Sequence, residues 1–93
     1  MPYKINVRKL NWHAEVKLMN PAYREIFRIM GLNIAYYRNL REMSQEQLGD
    51  KLGFEQSYMS KIERAAVGIS MDTLCDIAKA LNVEPYLLLK PKD

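Results

Sequence analysis

Residues 44–64 read SQEQLGDKLGFEQSYMSKIER, and this stretch carries the signals for two short helices joined by a tight turn. Ser44 and Gln47 have the spacing of a capping box, in which each side chain bonds the backbone amide of the other, so a helix begins directly after Ser44. Gly53 ends that helix, because a left-handed backbone is cheap for glycine. The pattern then predicts a second helix over residues 56–64.

On a helical wheel at about 100° per residue, the second of these helices divides into two arcs. The apolar arc contains Met59, Ile62 and Ala66, and the opposite arc contains Gln56, Ser57, Ser60, Lys61 and Arg64. Glutamine and lysine have the length and the donors to reach base edges in the major groove, whereas Arg64 and Tyr58 are better suited to phosphates. Many surface helices show the same division, so the interpretation depends on the surrounding sequence.

Helix signals continue on both sides of this stretch. Asn20 and Pro21 mark the start of a first helix, with an apolar side made of Ile26, Phe27, Met30, Ile34 and Tyr37. Gly31 lies inside it and leaves open whether the segment is one helix or two. Ser70 caps a later helix that Asn82 ends, with a core side of Leu74, Ile77, Ala78 and Leu81. A last short turn opens at Pro85, so we expect an all-α fold of five helices.

Length and composition limit the number of domains and the classes of protein to which the chain can belong. A chain of 93 residues with 48% hydrophobic content folds as one domain and has no room for a second. The single cysteine, Cys75, lies on the apolar repeat of its helix, and we expect it to fill the core. Because no apolar run approaches the roughly eighteen residues of a membrane span and no secretory signal is evident, the cytoplasm is the expected compartment.

The charge is distributed unevenly along the chain. The net charge is +3, and residues 1–19 account for all of it, since residues 20–93 contain ten basic and ten acidic side chains. The basic excess is therefore not evidence that the main domain binds nucleic acid. That inference has to depend on which charges share one face.

The first nineteen residues have a different character from the rest. Apolar and polar residues alternate around Ile5 and Val7 and again around Val16, as in a half-buried strand or a β-hairpin. An alternative is that this segment lies outside the working domain and that Met19 is the native start, because Ala14 to Val16 can be encoded by a ribosome-binding sequence. We therefore divide the chain into an N-terminal extension or arm (1–19), a helix-turn-helix domain (20–89) and a loose tail (90–93).

Several independent features of the central stretch occur together in one known family. Ser44-Gln45, Leu48-Gly49, Gly53, Met59 and Ile62-Glu63 resemble the helix-turn-helix of the phage repressor and Cro family, also called the xenobiotic response element family, over about Ile34 to Leu88. A small residue at Gly49 lets two helices cross closely. The resemblance implies a lambda-repressor-like domain in a bacterial or phage transcriptional regulator, with repression the expected mode.

The resemblance also implies roles for individual residues. Those expected to face bases are Gln56, Ser57 and Lys61, and those expected to contact phosphates are Gln45, Tyr58, Ser60 and Arg64. Arg38 and Glu63 occupy the places of a structural ion pair. Three features depart from the family pattern: Glu42 replaces a common glycine, Glu55 replaces the usual small capping residue before the reading helix, and the loop Ala65 to Ile69 lacks the family's frequent basic residue.

Two binding hypotheses remain open, and an enzyme is disfavoured. A homodimer on double-stranded DNA is expected, because one reading helix covers only a few base pairs, and Tyr86 to Leu88 is the candidate interface. The alternative is an antitoxin-like module that holds a protein partner with its basic N-terminal arm. His13 is the only histidine, and without paired carboxylates or metal-ligand spacing we expect no catalytic residues, metal, cofactor or small-molecule substrate.

Overall fold

The computed structural model describes residues 20–92, and every regular element in that range is helical. The four α-helices are α1 (Arg24–Leu40), α2 (Gln45–Leu52), α3 (Gln56–Glu63) and α4 (Met71–Leu81). A 3₁₀ turn, Pro21–Tyr23, precedes α1, and another, Pro85–Leu88, follows α4 and stands where the fifth helix was expected. The all-α prediction is thus confirmed for these residues, while the predicted strand or hairpin in 1–19 lies outside them.

The helix ends follow the local signals. The Ser44 hydroxyl accepts from the amide of Gln47 at 3.0 Å, and the Gln47 side chain accepts from the amide of Ser44 at 2.8 Å, which completes the capping box. Ser70 caps α4 by accepting from the amide of Thr73 at 3.1 Å. Gly53 and Asn82 end α2 and α4 with φ angles of 75° and 58°. Short-range chemistry therefore sets most boundaries.

The core lies between α1 and the three shorter helices. It is formed by apolar side chains from every α-helix, from the loop between α3 and α4 and from the C-terminal turn: Met30, Ile34, Leu48, Met59, Ile62, Val67, Leu74, Ile77, Ala78, Leu81 and Leu88. α1 runs as one helix through Gly31. Among residues 20–92, none of the helices has the length and apolar character that spanning a bilayer requires.

Three predictions about side-chain burial are wrong. Cys75 is exposed, because the buried side of α4 spans Leu74, Ile77, Ala78 and Leu81 and Cys75 lies past the edge of that arc. Ala66 is exposed because Ala65 takes a φ of 59° after the end of α3, so the helical wheel no longer applies there. Leu88 is completely buried and belongs to the core, which removes it from the expected dimer interface.

The start of the C-terminal tail is also more firmly held than expected. The side-chain amide of Asn33, itself buried in α1, donates to the carbonyl oxygens of Leu88 at 3.0 Å and Lys90 at 2.9 Å. The Lys92 ammonium lies 3.9 Å from the centroid of the Tyr36 ring. A buried amide must satisfy its donors, so the C-terminal turn and Lys90 are anchored to α1.

Candidate nucleic-acid interface

The α2–turn–α3 unit presents one face of α3 to solvent. Met59 and Ile62 on the inner side of α3 have no exposed surface. On the outer side Gln56, Ser57 and Lys61 are all exposed. The side chains proposed to face bases are therefore uncovered and share one side of a short helix that the core holds from behind.

The turn between α2 and α3 is packed tightly at Gly49. A Cβ atom added to Gly49 would lie 2.5 Å from the carbonyl oxygen of Phe54 and 3.3 Å from the Cγ of Met59. The amide of Phe54 in turn donates to the carbonyl of Gly49 at 2.8 Å. A side chain at position 49 would therefore clash with the backbone of the turn. Glycine is required there for the turn as well as for the close crossing of α2 and α3.

A bidentate ion pair ties α1 to the end of α3. The Arg38 Nε donates to Glu63 Oε2 at 2.7 Å, and its Nη2 donates to Glu63 Oε1 at 3.0 Å. The two side chains are only 13% and 7% exposed, and Arg38 also donates to the carbonyl of Met43 at 2.8 Å. The structure brings these two residues together, and the pair holds the end of α3 against α1.

Two glutamines extend this ion pair to the surface. The Gln45 Nε2 donates to Glu63 Oε1 at 3.0 Å, and the Gln45 Oε1 accepts from the Nε2 of Gln56 at 2.6 Å. A chain of hydrogen bonds therefore runs from half-buried Arg38 to exposed Gln56. It joins Gln45, which was expected to contact a phosphate, to Gln56, which was expected to contact a base.

The remaining predicted phosphate contacts are not members of this chain of hydrogen bonds. Tyr58 is half-buried and packs edge-to-face on Phe54 with ring centroids 5.0 Å apart, so part of its role is structural. Ser60 is half-buried and accepts from the Nε of exposed Arg64 at 3.3 Å. The structure thus brings Ser60 and Arg64 into one pair.

The charges on this face are mixed. Lys61 on α3 and Arg64, which directly follows α3, are exposed cations, and Glu55 is an exposed anion immediately before α3. Glu55 makes no side-chain capping bond to α3. Its carboxylate therefore opposes an approaching phosphate without the compensating contact that a serine or aspartate cap makes.

The sequence pattern does not predict the hydrogen bonds of Gln45 to Glu63 and Gln56. The bonded residues are separated by 11 and 18 positions, and neither periodicity nor a cap signal links residues so far apart. One signal could have predicted the contact: the place of Glu63 in the family pattern. In the packed structure this place lies close to Gln45 in the first turn of α2.

Comparison with known proteins agrees with this geometry. Residues 34–88 match the family model described as helix-turn-helix. The control protein C.SmaI of Serratia marcescens is 36% identical over 69 residues, which are 73% of this chain and 82% of that protein.

Two crystal structures have a similar fold. The hypothetical transcription factor NHTF from Neisseria superposes with a TM-score of 0.70 and 28% identity, covering 82% of this chain and 87% of the other. The P22 c2 repressor protein, in complex with a synthetic operator, superposes with a TM-score of 0.62 and 30% identity, covering 68% of this chain and 96% of the other.

Proposed function

The chain belongs to the helix-turn-helix family and is a DNA-binding transcriptional regulator, and on this premise we propose that α3 enters the major groove and reads bases with Gln56, Ser57 and Lys61. The supporting observation is that α3 buries its apolar side completely while these three polar side chains stay exposed on the other. A helix held in this way fits the width of the major groove.

Each of the three side chains has a preferred base. Glutamine offers a donor and an acceptor side by side, which match the N7 and the amino group of adenine, so Gln56 is assigned to an adenine. Lysine is donor-only and is assigned to the acceptors of guanine. Serine can donate or accept and carries little preference by itself.

Contacts to the phosphates then set the position of α3 in the groove. We assign these to Gln45, Tyr58, Ser60 and Arg64. Gln45 is the first residue of α2, where unpaired backbone amides and the helix dipole favour an anion. Because few of these groups are charged, binding should depend less steeply on salt than it does in strongly basic DNA-binding proteins.

The proposal also covers assembly and mode of action. Residues 20–89 act as the DNA-binding unit of a homodimer that represses transcription in the cytoplasm and has no catalytic role, since two reading helices are needed to specify a site of useful length. Tyr86 is 64% exposed and Leu87 is half-buried, so these two residues remain as the candidate dimer contact. Tyr86→Asp should then lower the dimer fraction measured by light scattering.

Selection of bound sequences from random duplex DNA tests base reading. Gln56→Ala and Lys61→Ala should each relax preference at one base pair, with a cost of about 1–3 kcal/mol on the selected site. Arg64→Ala should instead weaken binding to all sequences alike and reduce the slope of log affinity against log salt concentration by about one. Lys79→Ala, at an exposed lysine on α4, is the control and should change neither the base preference nor the salt dependence of binding. Absence of any enriched sequence at low salt contradicts the proposal.

A further inference from the structure

We propose that half-buried Glu63 decides which polar groups of Gln56 face the DNA, and that it thereby makes the protein prefer adenine to guanine at that base pair. Glu63 acts here as a positioning residue, through Gln45, and touches no base itself. The inference rests on the proposed function, in which Gln56 reads a base. It goes further by assigning the origin of the preference to a residue inside the protein.

The first step is the orientation of the Gln45 amide. An ionised carboxylate only accepts hydrogen bonds, and Arg38 holds both oxygens of Glu63 in a fixed position. The Glu63 Oε1 therefore accepts a hydrogen bond from the Nε2 of Gln45, at 3.0 Å. It could form no hydrogen bond with the Gln45 oxygen, because both oxygens are acceptors. Because Glu63 is 7% exposed, water competes little for this bond.

The second step carries that orientation to the surface. With its nitrogen directed at Glu63, Gln45 directs its Oε1 at Gln56. An amide oxygen only accepts, so Gln56 must approach it with the Nε2, as it does at 2.6 Å. One hydrogen of that nitrogen is used, which leaves Gln56 one N–H donor and its carbonyl oxygen for the DNA.

The third step is base choice. Adenine presents an acceptor at N7 and a donor at its amino group, so it matches the remaining donor and acceptor of Gln56. Guanine presents two acceptors, at N7 and O6, and needs two donors. Gln56 would have two donors available only if its amide were turned over, with the oxygen toward residue 45. The present chain of bonds prevents that turn.

Substitutions at Gln45 test the chain while keeping the Arg38–Glu63 pair. Gln45→Lys places a donor toward both neighbours, so Gln56 should turn its oxygen inward and direct both N–H groups at the DNA. Competition binding to duplexes that differ only at this base pair should then change from a preference of about tenfold for adenine to a preference for guanine. Gln45→Met removes the hydrogen bonds to Glu63 and Gln56, and it should reduce the ratio of affinities for adenine and guanine below about threefold.

Two controls accompany this experiment. Asp50→Asn, an exposed side chain on α2, raises the charge by one as Gln45→Lys does and should leave the adenine-to-guanine ratio unchanged. Thermal unfolding of each variant verifies that it is folded. Glu63→Gln should also lower the ratio, and if that variant is unfolded the two Gln45 variants decide the question.

The outcomes separate this inference from the function on which it rests. If Gln56→Ala abolishes the preference while Gln45→Lys and Gln45→Met leave the ratio at its original value, base reading stands and the role of Glu63 is refuted. If Gln56→Ala itself leaves the preference unaltered, the assignment of Gln56 fails and this inference fails with it. Reversal of the ratio in Gln45→Lys supports both.

Discussion

Gly31 of α1 lies directly against the carbonyl group of Glu63 at the end of α3. A Cβ atom added at Gly31 would overlap the Glu63 oxygen and would lie 2.9 Å from the carbonyl oxygen of Ile62. These atoms are backbone and cannot move aside as a side chain would. The missing side chain therefore lets the long helix approach the reading helix, and the same contact region holds the Arg38–Glu63 pair.

Gly31→Ala should destabilise the protein, although alanine favours a helix by about 1 kcal/mol over glycine. Overpacking against backbone should outweigh that gain and lower the free energy of unfolding by about 1–3 kcal/mol. Urea denaturation measures the difference. Leu32→Ala, at the exposed neighbouring position, is the control and should change stability by no more than about 0.5 kcal/mol. A stabilised Gly31→Ala variant would show that the helices separate easily.

Two arginine–glutamate pairs, found among residues 20–92, should differ sharply in their effect on the free energy of unfolding. Arg38→Ala strands a carboxylate that is 7% exposed and also removes a bond to Met43, so the loss should be about 3 kcal/mol or more. Arg28→Ala breaks an exposed pair with Glu25 of similar length and should give no measurable change. Equal effects in the same denaturation assay would mean that burial of the first pair is unimportant.

Glu42 offers a stabilising substitution. It follows the end of α1 with a φ of 59°, and the amide of Met43 donates to the carbonyl of Arg38 across this bend. A left-handed conformation penalises any residue with a Cβ, so Glu42→Gly should raise the free energy of unfolding by about 1 kcal/mol. Glu42→Ala removes the charge but keeps the Cβ and should give no such gain. A comparable increase in both variants would assign the effect to charge.

Glu55→Ser should improve both stability and DNA binding. Serine can cap α3, which Glu55 does not, and this should add about 1 kcal/mol to stability. Removing the carboxylate beside the reading face should also tighten binding to all sequences. Glu84→Ser is the matched control, since Glu84 precedes the C-terminal turn, which packs on α1 and α4, and likewise makes no capping bond. Fluorescence anisotropy with selected and random duplexes should show tighter binding for Glu55→Ser alone.

The thiol of Cys75 should be reactive in the folded protein, because it is exposed. A thiol reagent should label it at nearly the rate of a free peptide, without prior unfolding. Cys75→Ser should leave the free energy of unfolding within about 0.5 kcal/mol of the original. Slow labelling that tracks unfolding would place the thiol in the core after all.

The sequence by itself determined the features that depend on neighbours along the chain. The capping box at Ser44, the left-handed ends at Gly53 and Asn82 and the apolar side of α3 all arise within a few residues. Such signals act through the backbone of a single turn, so they remain valid whatever the helix later packs against. Together they placed α2 and α3 and indicated the helix-turn-helix.

Only the tertiary structure decided the features that depend on which elements meet. Leu88 is buried because the C-terminal turn packs on α1 and α4, and Lys90 is held because Asn33, more than fifty residues earlier, donates to its carbonyl. Cys75 is exposed because the core covers a narrower arc of α4 than the apolar pattern suggests. Gln45 joins Glu63 to Gln56 for the same reason. Donor and acceptor pairing between distant residues is settled by packing in three dimensions, and no local pattern in the chain records it.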